Sequence, residues 1–221
     1  NVGRKMLEVL EQKKLPIDEL YLVASSKSAG KKINFNGKDY EVYNLKTFDF
    51  SKAQISFFAA GSEISEEYAL KAAKDSTVID NSSFFRMDPD VPLIVPQVNS
   101  EDAKILKKNI IANPNCSTTQ LVIALKPLHD LFNIERVVIS TYQSVSGAGK
   151  ASMDELIKQT KQFLNNEEIK SINFKKQIAF NAIPHIGSFV ENGSTEEEEK
   201  MINETRKIFD EDIKISATCV R

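Results

Sequence analysis

The stretch Ile55 to Asp80, ISFFAAGSEISEEYALKAAKDSTVID, decides the fold. Ile55-Ser-Phe-Phe-Ala-Ala60 is a largely apolar run that stops at Gly61. Ser65 to Lys74 carries Tyr68, Ala69, Ala72 and Ala73 as a helix would, and Thr77-Val-Ile-Asp80 is apolar again. Strand, helix of about ten residues and strand make a βαβ unit, the connection that parallel neighbours require.

The same rhythm extends in both directions. Asn1 to Leu15 spaces Val2, Met6, Leu7, Val9 and Leu10 as a helix, and Leu20 to Ala24 is a short strand. Ile33 to Leu45 alternates around Asn36-Gly37, a hairpin turn, and Ile110-Ile-Ala112 is a further buried strand. Beyond Pro114 the spacing changes. Helices are expected over Ser117 to Phe132 (bent at Pro127), Ser152 to Leu164 and Glu196 to Phe209. Strands are expected over Arg136 to Tyr142, Ile178 to Asn181 and Ile213 to Arg221, with a Pro/Gly/Ser/Asn-rich loop over Pro184 to Ser194. The class is α/β with a mostly parallel sheet, and a domain boundary falls near Asn113 to Cys116. Both ends read as cut: Asn1-Val-Gly-Arg4 enters a helix with no strand before it, and the last strand stops at a charged residue.

Composition narrows the function. The 221 residues are 41% apolar with thirteen Phe, which argues for a packed core rather than disorder. A net charge of −2, with lysines interleaved among acids, provides no field for nucleic acid. No apolar run reaches the roughly 18 residues of a membrane span. Two cysteines, Cys116 and Cys219, make neither a disulfide framework nor a zinc site, so no metal is expected. The expectation is a soluble, cytoplasmic protein with reduced thiols.

Chemistry concentrates in Asn113-Pro-Asn-Cys-Ser-Thr-Thr119. A thiol at a strand end, immediately before a helix, faces unpaired N–H groups and a positive dipole end, and both favour the thiolate. The neighbouring amides suit an oxyanion. A buried structural cysteine beside an N-cap fits the same position. Cys219, inside an apolar strand, reads as core. Tyr142-Gln-Ser-Val-Ser-Gly-Ala-Gly-Lys150 places glycines between a strand and a helix, which serves a ligand or merely the turn. Arg86, Lys200 and Arg221 are isolated cations, each also compatible with a surface ion pair. Glu197 and Lys200 share a helix face, and Glu196 to Glu199 is most simply a solvated helix start. His129 reads as structural, whereas His185 fits a loop role or a chemical one. Ser25, Ser26, Lys27 and Ser28 follow the second strand with hydroxyls and a cation where an NAD enzyme usually offers an acid, which suits a 2′-phosphate.

Together these pieces resemble the aspartate-semialdehyde dehydrogenase family across essentially the whole chain. Asn1-Val-Gly-Arg4 resembles the end of the family's glycine-rich nucleotide fingerprint, and Ala24-Ser-Ser-Lys-Ser-Ala-Gly-Lys31 its 2′-phosphate loop. Phe57-Phe-Ala-Ala-Gly-Ser62 and Asp80-Asn-Ser-Ser83 resemble its cofactor-lining strand ends. Asn113 to Ser117, Gln143, Ser146 to Gly149 and Ala217 to Arg221 complete the set. Other acyl-phosphate reductases, with Ser-Cys-Thr-Thr-Asn or Gly-Cys-Tyr-Pro around the cysteine, are less similar.

The resemblance implies a Rossmann-type NADP-binding domain over residues 1–115. It is followed by an α+β catalytic and dimerisation domain over 116–221, incomplete at its C-terminus. It implies interconversion of L-aspartyl 4-phosphate and L-aspartate 4-semialdehyde through a Cys116 thioester, on the route to lysine, diaminopimelate, threonine and methionine. Gln143 would orient the substrate, Arg221 would pair with its carboxylate, and Glu197 would meet its amine. Arg86, Asn115 and Lys200 would hold the departing phosphate. Asn1, Val2, Ser25, Ser26, Lys27, Ser28, Ala60, Gly61, Ser62, Asn81, Ser82, Ser146, Gly147, Ala148 and Gly149 would line the NADP site. A homodimer or dimer of dimers is implied. The family's general acid/base histidine is expected beyond Arg221, so this stretch alone is expected to be inactive. The rival readings are a nucleotide-free cysteine acyl-transferase or hydrolase using His129 or His185, and a non-catalytic nucleotide-binding module.

Overall fold

The chain opens with α1 (Val2–Lys13), followed by β1 (Leu22–Ala24) and the hairpin strands β2 (Lys32–Phe35) and β3 (Lys38–Asn44). The hairpin turns at Asn36 and Gly37, both with positive φ (49° and 77°), the geometry that matches the twist of paired strands. β3 pairs antiparallel with β2 and parallel with β1. The central βαβ unit follows as β4 (Ile55–Phe58), α2 (Ser62–Ala72) and β5 (Thr77–Asp80). After the one-turn helix α3 (Pro96–Asn99), β6 (Ile110–Ala112) completes a parallel sheet in the order β4-β5-β6. Val78, Ile110 and Ala112 are buried in this sheet, and Ser65, Ala69 and Ala72 are small buried residues on α2.

α2 begins at Ser62, three residues before its apolar spacing starts. Gly61, at φ 101°, turns the chain directly from β4 into the helix. That conformation is open to glycine and strained for any residue with a Cβ.

The remainder contains α4 (Cys116–Phe132), β7 (Arg136–Tyr142), α5 (Lys150–Leu164), α6 (Glu196–Phe209) and β8 (Lys214–Val220). β7 and β8 pair in parallel, with Ile139 opposite Ala217 and Thr141 opposite Cys219. Val137, Ile139, Ile186, Met201, Ile213 and Cys219 form a buried core, against which Leu121, Leu125 and Phe209 pack.

One expected strand is absent. Ile178 to Asn181 forms a turn, with Phe180 left-handed (φ 58°) and the Asn181 N–H donated to the Ile178 carbonyl. The buried Ile178 and Ala179 donate their N–H groups to the side-chain oxygen of Gln159 on α5, at 2.9 and 3.2 Å. A fully buried glutamine thus takes the place of a neighbouring strand.

The computed structural model describes residues 2–209 and 212–221. It divides into two compact units, Asn1–Pro96 with Ser100–Pro114, and Gln97–Asn99 with Asn115–Arg221. Among the described residues no helix is long and apolar enough to cross a membrane, and no His/Cys/Asp/Glu cluster could hold a metal ion.

Candidate active site

Cys116 is the first residue of α4 and is exposed. It stands four residues beyond the end of β6, not directly at a strand end: Asn113, Pro114 and Asn115 intervene. Asn115 is the N-cap, its side-chain oxygen accepting the Ser117 N–H at 2.8 Å. One of the amides adjoining the thiol is therefore already engaged.

Around this cap the second unit gathers residues from three elements. The Asn115 side-chain amide donates to Glu197 Oε1 at 3.0 Å, and the Gln143 amide donates to the same oxygen at 2.9 Å. Gln143 follows β7, and its own oxygen accepts the Thr141 hydroxyl at 2.9 Å. Lys200 Nζ lies 3.5 Å from Glu197 Oε2, across one turn of α6. Glu197 is only 7% exposed. Burial pushes its carboxyl pKa up, but the Gln143 and Asn115 donors and the Lys200 charge outweigh that and hold it below the usual range.

The acidic start of α6 is therefore not solvated throughout. Glu197 is buried, and Glu198 accepts the backbone N–H groups of Thr195 (2.7 Å) and Cys219 (3.0 Å). Charge runs mislead here because each carboxylate found a specific donor.

Arg221 follows β8, and its backbone exchanges hydrogen bonds with Ile183 in both directions. A Cβ on Gly147 would fall 2.9 Å from Arg221 Nη2, so the guanidinium lies against the glycine turn before α5. In that turn Ser144 accepts the Ser146 N–H, and Gly149 enters α5 at φ 91°.

Two domain models match: semialdehyde dehydrogenase, NAD binding domain, over residues 1–106, and semialdehyde dehydrogenase, dimerisation domain, over residues 125–221. The aspartate-semialdehyde dehydrogenase of Aquifex aeolicus is 56% identical over 225 aligned residues, covering 100% of this chain and 66% of the relative. The chain belongs to the aspartate-semialdehyde dehydrogenase family. It has the family's α/β, Rossmann-type architecture, and spans about two thirds of the length of the relatives it matches. A crystal structure of aspartate semialdehyde dehydrogenase II from Vibrio cholerae, complexed with ASA, superposes with a TM-score of 0.96 at 52% identity. That match covers 100% of this chain and 66% of the other. The aspartate semialdehyde dehydrogenase of Candida albicans, solved with NADP, has a TM-score of 0.68 at 25% identity, covering 100% and 64%.

The family's nucleotide domain corresponds to the first unit, where the polar strand ends form compact turns. Ser25 accepts the N–H groups of Ser28 and Ala29, leaving Lys27 exposed and no acid in the turn. Ala60 and Gly61 lead into α2, whose first residue Ser62 exchanges a hydroxyl hydrogen bond with Ser83 at 2.9 Å. Nothing lies within 4 Å of where a Gly61 Cβ would sit. An open helix start bordered by hydroxyls fits a phosphorylated nucleotide. Val2 is exposed at the start of α1, and Asn1 lies outside the described residues.

Asp80 lies in the Asp80-Asn-Ser-Ser83 motif, but its organising role has no sequence signal. Fully buried, it accepts the Ser65 hydroxyl (2.7 Å), the Ser82 N–H (2.9 Å) and the Ser82 hydroxyl (2.7 Å), and so organises the Asn81–Ser82 turn. Arg86 is buried, donating to the carbonyls of Asn113 (2.9 Å) and Asn81 (3.2 Å), which ties the ends of β5 and β6 together. Glu204 was missed: it accepts the Asn115 N–H at 2.7 Å. A carboxylate amid a polar helix stretch has no sequence signal that separates it from a solvated one.

His129 is too distant for a hydrolase dyad with Cys116. His129 accepts the Ile134 N–H and packs on Phe209, near the far end of α4, about 20 Å from Cys116 at 1.5 Å per residue. The His185 ring stacks on Phe189. Cys219 is buried against Met201, and burial pushes its thiol pKa up.

Proposed function

We propose that this chain supports the NADP-dependent interconversion of L-aspartyl 4-phosphate and L-aspartate 4-semialdehyde, with Cys116 as nucleophile. The observation that carries the reading is the exposed Cys116 thiol at the start of α4, beside amide and ammonium groups gathered on the buried Glu197 carboxylate. Cys116 Sγ attacks the acyl carbon. The C–S bond forms, the acyl C–O bond breaks, and phosphate departs with the bonding pair. NADPH, when bound, would supply the hydride that the carbon of the resulting thioester accepts. The C–S bond then breaks, its electron pair returns to sulfur, and the aldehyde leaves.

Each neighbouring residue has a task in this scheme. Gln143 orients the substrate, and the ionised Glu197 accepts from its ammonium group. Arg221 pairs with its carboxylate as a planar fork can. Lys200, one turn from Glu197, faces the departing phosphate together with Asn115. The 2′-phosphate of NADP, in preference to NAD, is read by Ser25, Ser26, Lys27 and Ser28. The glycine turn from Ser146 to Gly149 admits close approach of the nicotinamide side. We read the chain as part of a homodimer, consistent with the exposed Val138 and Tyr142 on β7 and with the dimerisation-domain match.

The reverse reaction tests the reading. The full-length protein carrying this chain should reduce NADP when given aspartate semialdehyde and phosphate together. Cys116→Ser should lower turnover by roughly 10⁴-fold or more while nucleotide binding persists. Turnover surviving the substitution, or acyl hydrolysis that proceeds without nucleotide, would overturn the assignment.

A further inference from the structure

Asn115 immediately precedes the thiol, and its polar atoms are all engaged. Its carbonyl accepts the Thr119 N–H (2.9 Å) and hydroxyl (3.0 Å), and its Oδ1 accepts the Ser117 N–H (2.8 Å). Its Nδ2 donates to Glu197 (3.0 Å), and its backbone N–H donates to Glu204 (2.7 Å). The last of these bonds has no place in the scheme above.

The backbone N–H of an N-cap residue is ordinarily taken by a Glu or Gln at the third helical position, the reciprocal half of a capping box. α6 is built that way: Thr195 caps the Glu198 N–H (3.4 Å), and Glu198 accepts the Thr195 N–H (2.7 Å). In α4 the third position is Thr118, which has neither carboxylate nor amide, and its buried hydroxyl has no hydrogen-bond partner. Glu204, 89 residues away and only 2% exposed, supplies the missing acceptor from α6. Glu197, Lys200 and Glu204 recur at the spacing of one helix face. A single face of α6 therefore presents the substrate-side groups and also grips the cap of the nucleophile's helix.

We propose that Glu204 is a positioning residue for Cys116, completing the α4 cap from another helix and so setting the thiol relative to Gln143 and Glu197. The inference rests on the reading of Cys116 as nucleophile. For the bond to Asn115 the placement of the acceptor matters more than its charge, because the Asn115 N–H is a neutral amide.

Two substitutions in the full-length protein separate placement from charge. Glu204→Gln keeps the length and an acceptor oxygen, whereas Glu204→Asp keeps the charge but withdraws the oxygen by about 1.5 Å, one C–C bond. Glu204→Asp should lower kcat roughly 10- to 100-fold with KM for NADP unchanged. Glu204→Gln should retain most of the activity. Alkylation of Cys116 by iodoacetamide, mapped by mass spectrometry, should slow in the same order. That readout needs no substrate, so it judges the positioning role even in a protein that leaves aspartate semialdehyde unturned. Loss in Glu204→Gln with Glu204→Asp intact, equal loss in both, or no change in either would overturn the proposal.

Discussion

The polar turns of the first unit and the cysteine cluster of the second are held in opposite ways. In the first unit the Ser25–Ala29 turn closes on its own backbone, and Asp80 grips Ser82 two residues on. Its longer reach, to Ser65, spans 15 residues within one βαβ unit. In the second unit, Asn115 is bound to Glu197 and Glu204 across 82 and 89 residues, and Gln143 to Glu197 across 54. A turn that closes locally can change its specificity without disturbing its neighbours. A cluster closed by a distant helix face transmits any displacement to several of its members.

The contrast can be broken most forcefully at Gly147. A Cβ there would meet the end of the flexible Arg221 side chain rather than backbone, so Gly147→Ala should shift the guanidinium and leave the fold intact. If Arg221 binds the substrate carboxylate, KM for aspartate semialdehyde should rise roughly 10- to 100-fold, the value of one charge-assisted hydrogen bond. Thermal stability should barely move. An unchanged KM would detach Arg221 from the substrate.

A smaller effect should come from the local side. Lys27 is exposed in a turn whose hydrogen bonds do not involve its side chain. Lys27→Glu should weaken NADP by roughly tenfold at low salt, much less at high salt, with NAD hardly affected. Titration of both nucleotides checks this, and equal weakening would remove Lys27 from the 2′-phosphate.

The smallest effect sharpens the contrast through pH. Glu197 has a folded-state pKa below the roughly 4.3 of free glutamate, so its ionised form contributes stability above that value. The contribution is lost as pH falls through the lower, folded value. Urea midpoints between about pH 6 and pH 3 should therefore fall less steeply in Glu197→Gln than in the parent. Superimposable acid limbs would show that the carboxylate is not preferentially stabilised in the folded cluster.

What the sequence determined by itself lies within reach of a few residues. The βαβ rhythm from Ile55 to Asp80, the Asn36-Gly37 hairpin and a helix start beside Cys116 were all legible there. Periodicity, turn conformation and capping depend on neighbours along the chain, so their signals survive without a structure. The resemblance also named Glu197, Gln143, Asn115 and Lys200, which the fold then gathers around one carboxylate. Only tertiary structure decided the rest. It converted Ile178–Asn181 from strand to turn by offering the Gln159 oxygen, and buried Glu197 within an acidic helix start that reads as solvated. It bound Arg86 to backbone carbonyls and brought Glu204 to a cap that lacked its usual acceptor. Those outcomes share one physical cause: a buried polar group must find a partner, and nothing in the local sequence says which distant residue will supply it.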